Sequence, residues 1–76
     1  MTQSEFKKKI TRINQHFNKI EDLLNSLPEG LQEEVREFHN EEATLQHCTR
    51  WGLQGSEEIL EDSKSVYKRA DENYNL

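Results

Sequence analysis

Seven apolar residues near the start of the chain, Phe6, Ile10, Ile13, Phe17, Ile20, Leu24 and Leu27, follow one another at spacings of 4, 3, 4, 3, 4 and 3. Only a helix gathers such a set on one face, because a strand alternates its side chains between two. The spacing is a heptad pattern held for three repeats, which is also the signal of coiled-coil pairing. Lys7, Lys8, Lys9, Arg12, Asn14, Gln15, Asn18 and Lys19 fill the gaps, and Leu23 widens the stripe near its end. Thr2 with Glu5 forms a possible capping box, with Ser4 as an alternative cap. The predicted first helix, residues 4–25, is about 33 Å long.

In Ser26-Leu27-Pro28-Glu29, which comes next, Ser26 is a cap for a second helix and Glu29, three residues later, is placed to reach back to it. Proline disfavours a helical conformation at the residue before it and is tolerated in a first turn, so a corner is predicted, with Gly30 just inside the next helix. One long kinked helix is the alternative, since Leu27 and Leu31 keep a spacing of four. A second helix, 28–50, carries Leu31, Val35, Phe38 and Leu45 on one stripe, extended by Cys48 or Thr49. Glu42 interrupts that stripe, and a carboxylate there must reach solvent or meet a cation. Trp51-Gly52-Leu53-Gln54-Gly55 reads as a loop in which Gly52 or Gly55 terminates the second helix, with Trp51 and Leu53 plugging the end of the bundle and Ser56 capping a third helix, 57–72. Its stripe of Ile59, Leu60, Val66, Tyr67, Ala70 and Tyr74 is thin, and its small residues Ser56, Ser63, Ser65 and Ala70 either allow close approach or make it bind weakly. A frayed end is expected over 73–76.

The expected fold is therefore all-α: a single three-helix domain spanning 1–76, a long antiparallel helical hairpin plus a shorter third helix. Seventy-six residues, 32% of them hydrophobic, make a core that is only just sufficient. No deeply enclosed active site fits in such a chain. A single cysteine, Cys48, excludes an intramolecular disulfide and fits a reducing compartment. With no long apolar run and no signal-peptide pattern, a cytoplasmic protein away from membranes is expected.

Charge is unevenly spread. Residues 1–27 carry five Lys or Arg against three Asp or Glu; residues 28–50 carry two against six, and 51–76 three against six. This division suggests attraction between segments, within one chain or between copies. The formal net charge of -5 argues against direct nucleic-acid binding, for which Lys7, Lys8, Lys9, Arg12 and Lys19 are the one possible footprint.

The chemistry-bearing residues do not assemble into a recognisable catalytic set. Glu33/Glu34, Glu41/Glu42, Glu57/Glu58, Glu61/Asp62 and Asp71/Glu72 are neighbours in sequence, and neighbours on a helix do not face each other. His16, His39, His47 and Cys48 lack metal-ligand spacing, although His39 and Glu42 could share a helix edge. Cys48 sits on the apolar stripe and reads as a small buried hydrophobe. No enzyme activity, metal or cofactor is expected.

Trp51-Gly52, between two helical segments, and Tyr67 followed four residues later by Asp71 are similar to the layout of the small helical-hairpin proteins exported by specialised secretion systems of Gram-positive bacteria. Their turn reads Trp-x-Gly, and they have no counterpart of the corner at Pro28. The likeness covers two short motifs and adds no expectation of function.

Two functions remain. The first is a small helical adaptor, chaperone or regulatory subunit, expected to be a homodimer, that binds a helix of another protein through Phe6, Ile10, Ile13, Phe17, Leu31 and Trp51. The alternative is an acidic inhibitor that mimics nucleic-acid charge and occupies a basic protein surface, which requires Glu33, Glu37, Glu41, Glu58, Glu61 and Asp62 to share one continuous face.

Overall fold

The computed structural model describes the backbone of residues 1–40 and 43–75, and the side chains of these except His39 and Asn40. The fold is all-α, with helices α1 (Gln3–Asn25), α2 (Glu29–Glu37), α3 (Leu45–Glu61) and α4 (Ser63–Tyr74). Between α2 and α3, β1 (His39–Asn40) and β2 (Ala43–Thr44) form a two-residue antiparallel ladder pairing His39 with Thr44 and Asn40 with Ala43.

Helix α1 starts where its capping box lies: Thr2 Oγ1 accepts the Glu5 amide at 3.2 Å and donates to Glu5 Oε1 at 3.1 Å. It stops at a corner, so the kinked single helix is excluded. The Ser26 amide donates to the carbonyls of Asp22 and Leu23, and the Ser26 hydroxyl donates to that of Leu23 at 2.6 Å. Ser26 thus closes α1 rather than capping the second helix, and Pro28 holds the N-cap position of α2. Gln32 ties the corner down, donating through Nε2 to the Leu27 carbonyl at 2.7 Å and the Asn25 carbonyl at 3.2 Å.

Three features differ from expectation. The helix expected over 28–50 ends at Glu37, and its second half belongs to α3. Thr44 starts α3 by accepting the His47 amide at 3.1 Å, an N-cap that wins over continuation of the stripe. The stripe stops being apolar at position 42; the expected partnering of Glu42 itself lies outside the described residues. The second difference is Trp51–Gly55, which is the middle of α3 rather than a loop. Both Gly52 and Gly55 have negative φ, so neither terminates a helix. Ser56 is likewise no cap but a buried residue of α3. The expected third helix is split between α3 and α4, with a break at Asp62, whose amide is shared between the carbonyls of Glu58 and Ile59.

The antiparallel hairpin is built from α1 and α3, with α4 continuing along the N-terminal end of α1. Asn14 meets Ser56 and Phe17 meets Gly52, so numbers fall along α3 as they rise along α1. Phe6 lies beside Tyr67 with ring centroids 6.1 Å apart, and the Tyr67 hydroxyl donates to the Met1 carbonyl. The buried face of α3 and α4 repeats every seven residues with small side chains, Thr49, Ser56 and Ser63, beside Leu53. Small residues let the axes approach closely, which is the first of the two roles open to Ser56 and Ser63. Helix α2 closes the other end of the hairpin, where Gln46 Nε2 donates to the Gln32 carbonyl at 3.4 Å.

The result is long and thin. Its radius of gyration is 15.9 Å, against about 11 Å for a compact domain of this length. Among the described residues Leu53 is the one buried apolar side chain, and no large side chain is fully enclosed.

Candidate functional site

The stripe on α1 is wider than the neighbour that covers it. Helical phase places Ile10, Asn14, Phe17, Glu21 and Leu24 toward α3 and α4, and all are half-buried. Ile13 and Ile20, seven residues apart, and Leu23 turn past that contact and stay 44%, 38% and 60% exposed. They lie on the flank of α1 opposite Asn18 and Glu21.

The hairpin therefore has two unlike flanks. On one, Asn18 and Glu21 of α1 line a shallow cleft with Arg50, Gln54 and Glu57 of α3. A second polar cleft, toward α2, brings Glu21 and Asn25 near Arg36, Gln46 and Arg50. The other flank carries Ile13, Ile20 and Leu23, and the phase of α3 turns Leu45, Cys48 and Gly55 to the same side. Leu45 and Cys48 are exposed, and nothing lies within 4 Å of where a side chain at Gly55 would begin. Cys48 is thus exposed, contrary to the buried position expected of it.

The six residues predicted to bind a partner are not gathered on one surface. Phe6, Ile10 and Phe17 are half-buried against the chain's own later helices. Ile13 is on the open flank, and Leu31 is exposed on α2. Trp51 does not plug the bundle end: two residues from both Thr49 and Leu53, it points away from α1, is 63% exposed, and stands edge-to-face with His47 at 4.1 Å. This position within α3 also removes the turn on which the likeness to the exported hairpin proteins depended. Compared with family models, curated proteins and solved structures, the chain has no match.

Ile20, Leu23 and Leu45 belong to the stripes legible in the sequence but not to the six residues expected to bind a partner. The spacing of seven from Ile13 to Ile20 was the available signal. What a heptad alone does not state is which half of a broad stripe the partner helix will cover.

Among the described residues, charged groups surround these surfaces without ion pairs across elements. Among the described residues the ion pair present is Arg36 with Glu33, at 3.0 Å within α2. Glu33, Glu34, Glu57, Glu58, Glu61 and Asp62 are all exposed, the first two on α2 and the rest at the far end of α3 and just beyond it. Glu41 lies outside the described residues, as does the suggested pairing of His39 with Glu42. Among the described residues no three His, Cys, Asp or Glu side chains converge as metal ligands do. No helix among them is long and apolar enough to cross a membrane.

Proposed function

We propose that this protein is a non-catalytic helical module that binds another polypeptide, in the manner of an adaptor, chaperone or regulatory subunit. The observation that supports the reading is the unpartnered apolar flank of α1, where Ile13, Ile20 and Leu23 remain exposed although α3 lies alongside. Exposed apolar strips of this kind mark contact surfaces in small soluble domains, and a helix laid along the groove is the natural way to cover one. A reducing, cytoplasmic setting goes with this reading, on the strength of the single thiol at Cys48.

The acidic-mimic reading is less favoured by the placement of the carboxylates, which divides them between α2 and the region where α3 meets α4. Two substitutions tested separately in affinity capture from the source cell discriminate between the two. Ile20→Lys abolishes retention of the partner on the first reading, while Glu37→Lys with Glu61→Lys leaves it intact. The opposite pattern, with capture collapsing on charge reversal and indifferent to Ile20→Lys, overturns the module reading.

A further inference from the structure

We infer that the occupant of the open flank is an acidic amphipathic helix of another polypeptide, lying along α1 with its carboxylates toward Lys9, Arg12 and Lys19. The inference rests on the protein-binding reading and supplies the chemistry of the partner.

Two stripes run side by side on this flank of α1. Ile13 and Ile20 form the apolar one. Lys9, Arg12, His16, Lys19 and Leu23 follow one another at spacings of 3, 4, 3 and 4, which makes a second heptad stripe one step further round the helix. All five are exposed, and Lys9, Arg12 and Lys19 have no ion pair among the described residues. Glu5, four residues before Lys9 on the same stripe, is taken up by the Thr2 capping box.

The opposite wall is uncharged. Leu45, Cys48, Gly52, Gly55 and Ile59 repeat the same spacings along α3, and helical phase turns them toward this flank. The ring of Phe17 fills the space at Gly52, whereas open space remains where a side chain at Gly55 would begin. The α3 wall is therefore low, and an incoming helix can approach closely enough to rest on Ile13 and Ile20.

Such a helix buries its apolar face between the two walls and brings one edge against the basic stripe. Carboxylates on that edge pair with the three cations, whose alkyl stems cover the apolar margin, and basic residues there are repelled. The same division of roles separates the a and d positions of a coiled coil from its e and g positions. From Lys9 to Lys19 the stripe runs about 15 Å, so it matches about three turns of a partner acidic at every third or fourth residue along one edge. An anionic bilayer fits less well. The chain as a whole carries a net charge of -5, and a flat surface gains nothing from the low wall at Gly55.

The test uses Cys48, the single thiol, which is exposed on the α3 wall and is covered when the groove is filled. Its alkylation by iodoacetamide is followed by mass spectrometry at low micromolar protein. The probe is a synthetic peptide of about three heptads with Leu at a and d and Glu at e and g, compared with its isomer carrying Lys at e and g. The acidic peptide at saturation is expected to slow alkylation about tenfold or more, since thiol reactivity follows access, and to lose affinity as salt is raised. The basic peptide is expected to leave the rate unchanged. Combining Lys9→Glu, Arg12→Glu and Lys19→Glu is expected to exchange the two preferences without altering far-UV circular dichroism, because all three side chains are exposed.

Protection that is absent with both peptides or equal for both, or an acidic preference that survives the triple reversal, overturns the inference. So does protection by phosphatidylserine vesicles alone, which assigns the flank to lipid. Protection that grows with protein concentration in the absence of peptide overturns it in favour of a second copy. Protection by the basic peptide that is lost in Ile20→Lys overturns the acidic partner while leaving the module reading standing.

Discussion

The ring of Phe17 occupies the space that a side chain at Gly52 would need: a Cβ built there falls 2.8 Å from Phe17 Cδ1 and closer still to the ring's outer atoms. This contact sets the distance between α1 and α3. It also explains why a glycine is kept in the middle of a helix, where it costs about 1 kcal/mol relative to alanine.

Gly52→Ala should therefore destabilise the protein despite its better helix propensity. Overpacking at such a contact costs about 1–3 kcal/mol, which exceeds the propensity gain over most of that range. Gly55→Ala is the control, because its Cβ would meet open space, and it should stabilise by about 0.5–1 kcal/mol. Urea denaturation followed by circular dichroism reads both; equal shifts in the same direction would contradict the close approach at Phe17.

Asn14 and Ser56 should be energetically coupled. Asn14 Nδ2 donates to Ser56 Oγ at 2.9 Å across the α1–α3 contact, and Ser56 in turn donates to the Leu53 carbonyl. Ser56→Ala should cost about 0.5–1.5 kcal/mol, the net value of one such bond. In a double-mutant cycle with Asn14→Ala the coupling should be at least about 0.5 kcal/mol, and additivity would mean that the two side chains do not hold the register.

Thr44→Ala should lower stability by about 1 kcal/mol through loss of the α3 N-cap, and Thr44→Ser should restore most of it. Thr2→Ala removes a cap of the same geometry at the chain's first helical turn, where fraying blunts the effect, so it should cost less. Thermal melts of the three variants at one concentration test the order; equal losses at Thr2 and Thr44 would count against α3 beginning where Thr44 caps it.

Trp51 should report on solvent rather than on the interface. Its indole is exposed on the outer side of α3, so its emission should be red-shifted and readily quenched by acrylamide. A blue-shifted emission resistant to the quencher would contradict the exposed position of Trp51 on α3.

Helix content, the capping box at Thr2 and the corner before Pro28 could be read from residue order, because each rests on neighbours within four positions. A heptad of isoleucines and phenylalanines has no other local solution, and proline's missing amide acts wherever the chain goes. The break between α2 and α3 was less accessible. Leu31, Val35, Phe38 and Leu45 maintain an apparent stripe across it, and only the competition between that stripe and the Thr44 cap ends the helix at Glu37.

Trp51–Gly55 shows the opposite case, in which local signals for a loop were overruled. Two glycines normally favour a chain break, yet Gly52 and Gly55 stay helical, and Gly52 leaves its volume to Phe17, a residue thirty-five positions away. Which of the many apolar residues on α1 would be covered was likewise decided by α3. Its seam of Thr49, Leu53 and Ser56 is narrow, so it shields Phe17 and Leu24 more fully and leaves Ile13 and Ile20 partly exposed. Short-range conformational preference makes the helices, whereas exposure depends on how wide a face the opposing helix can reach.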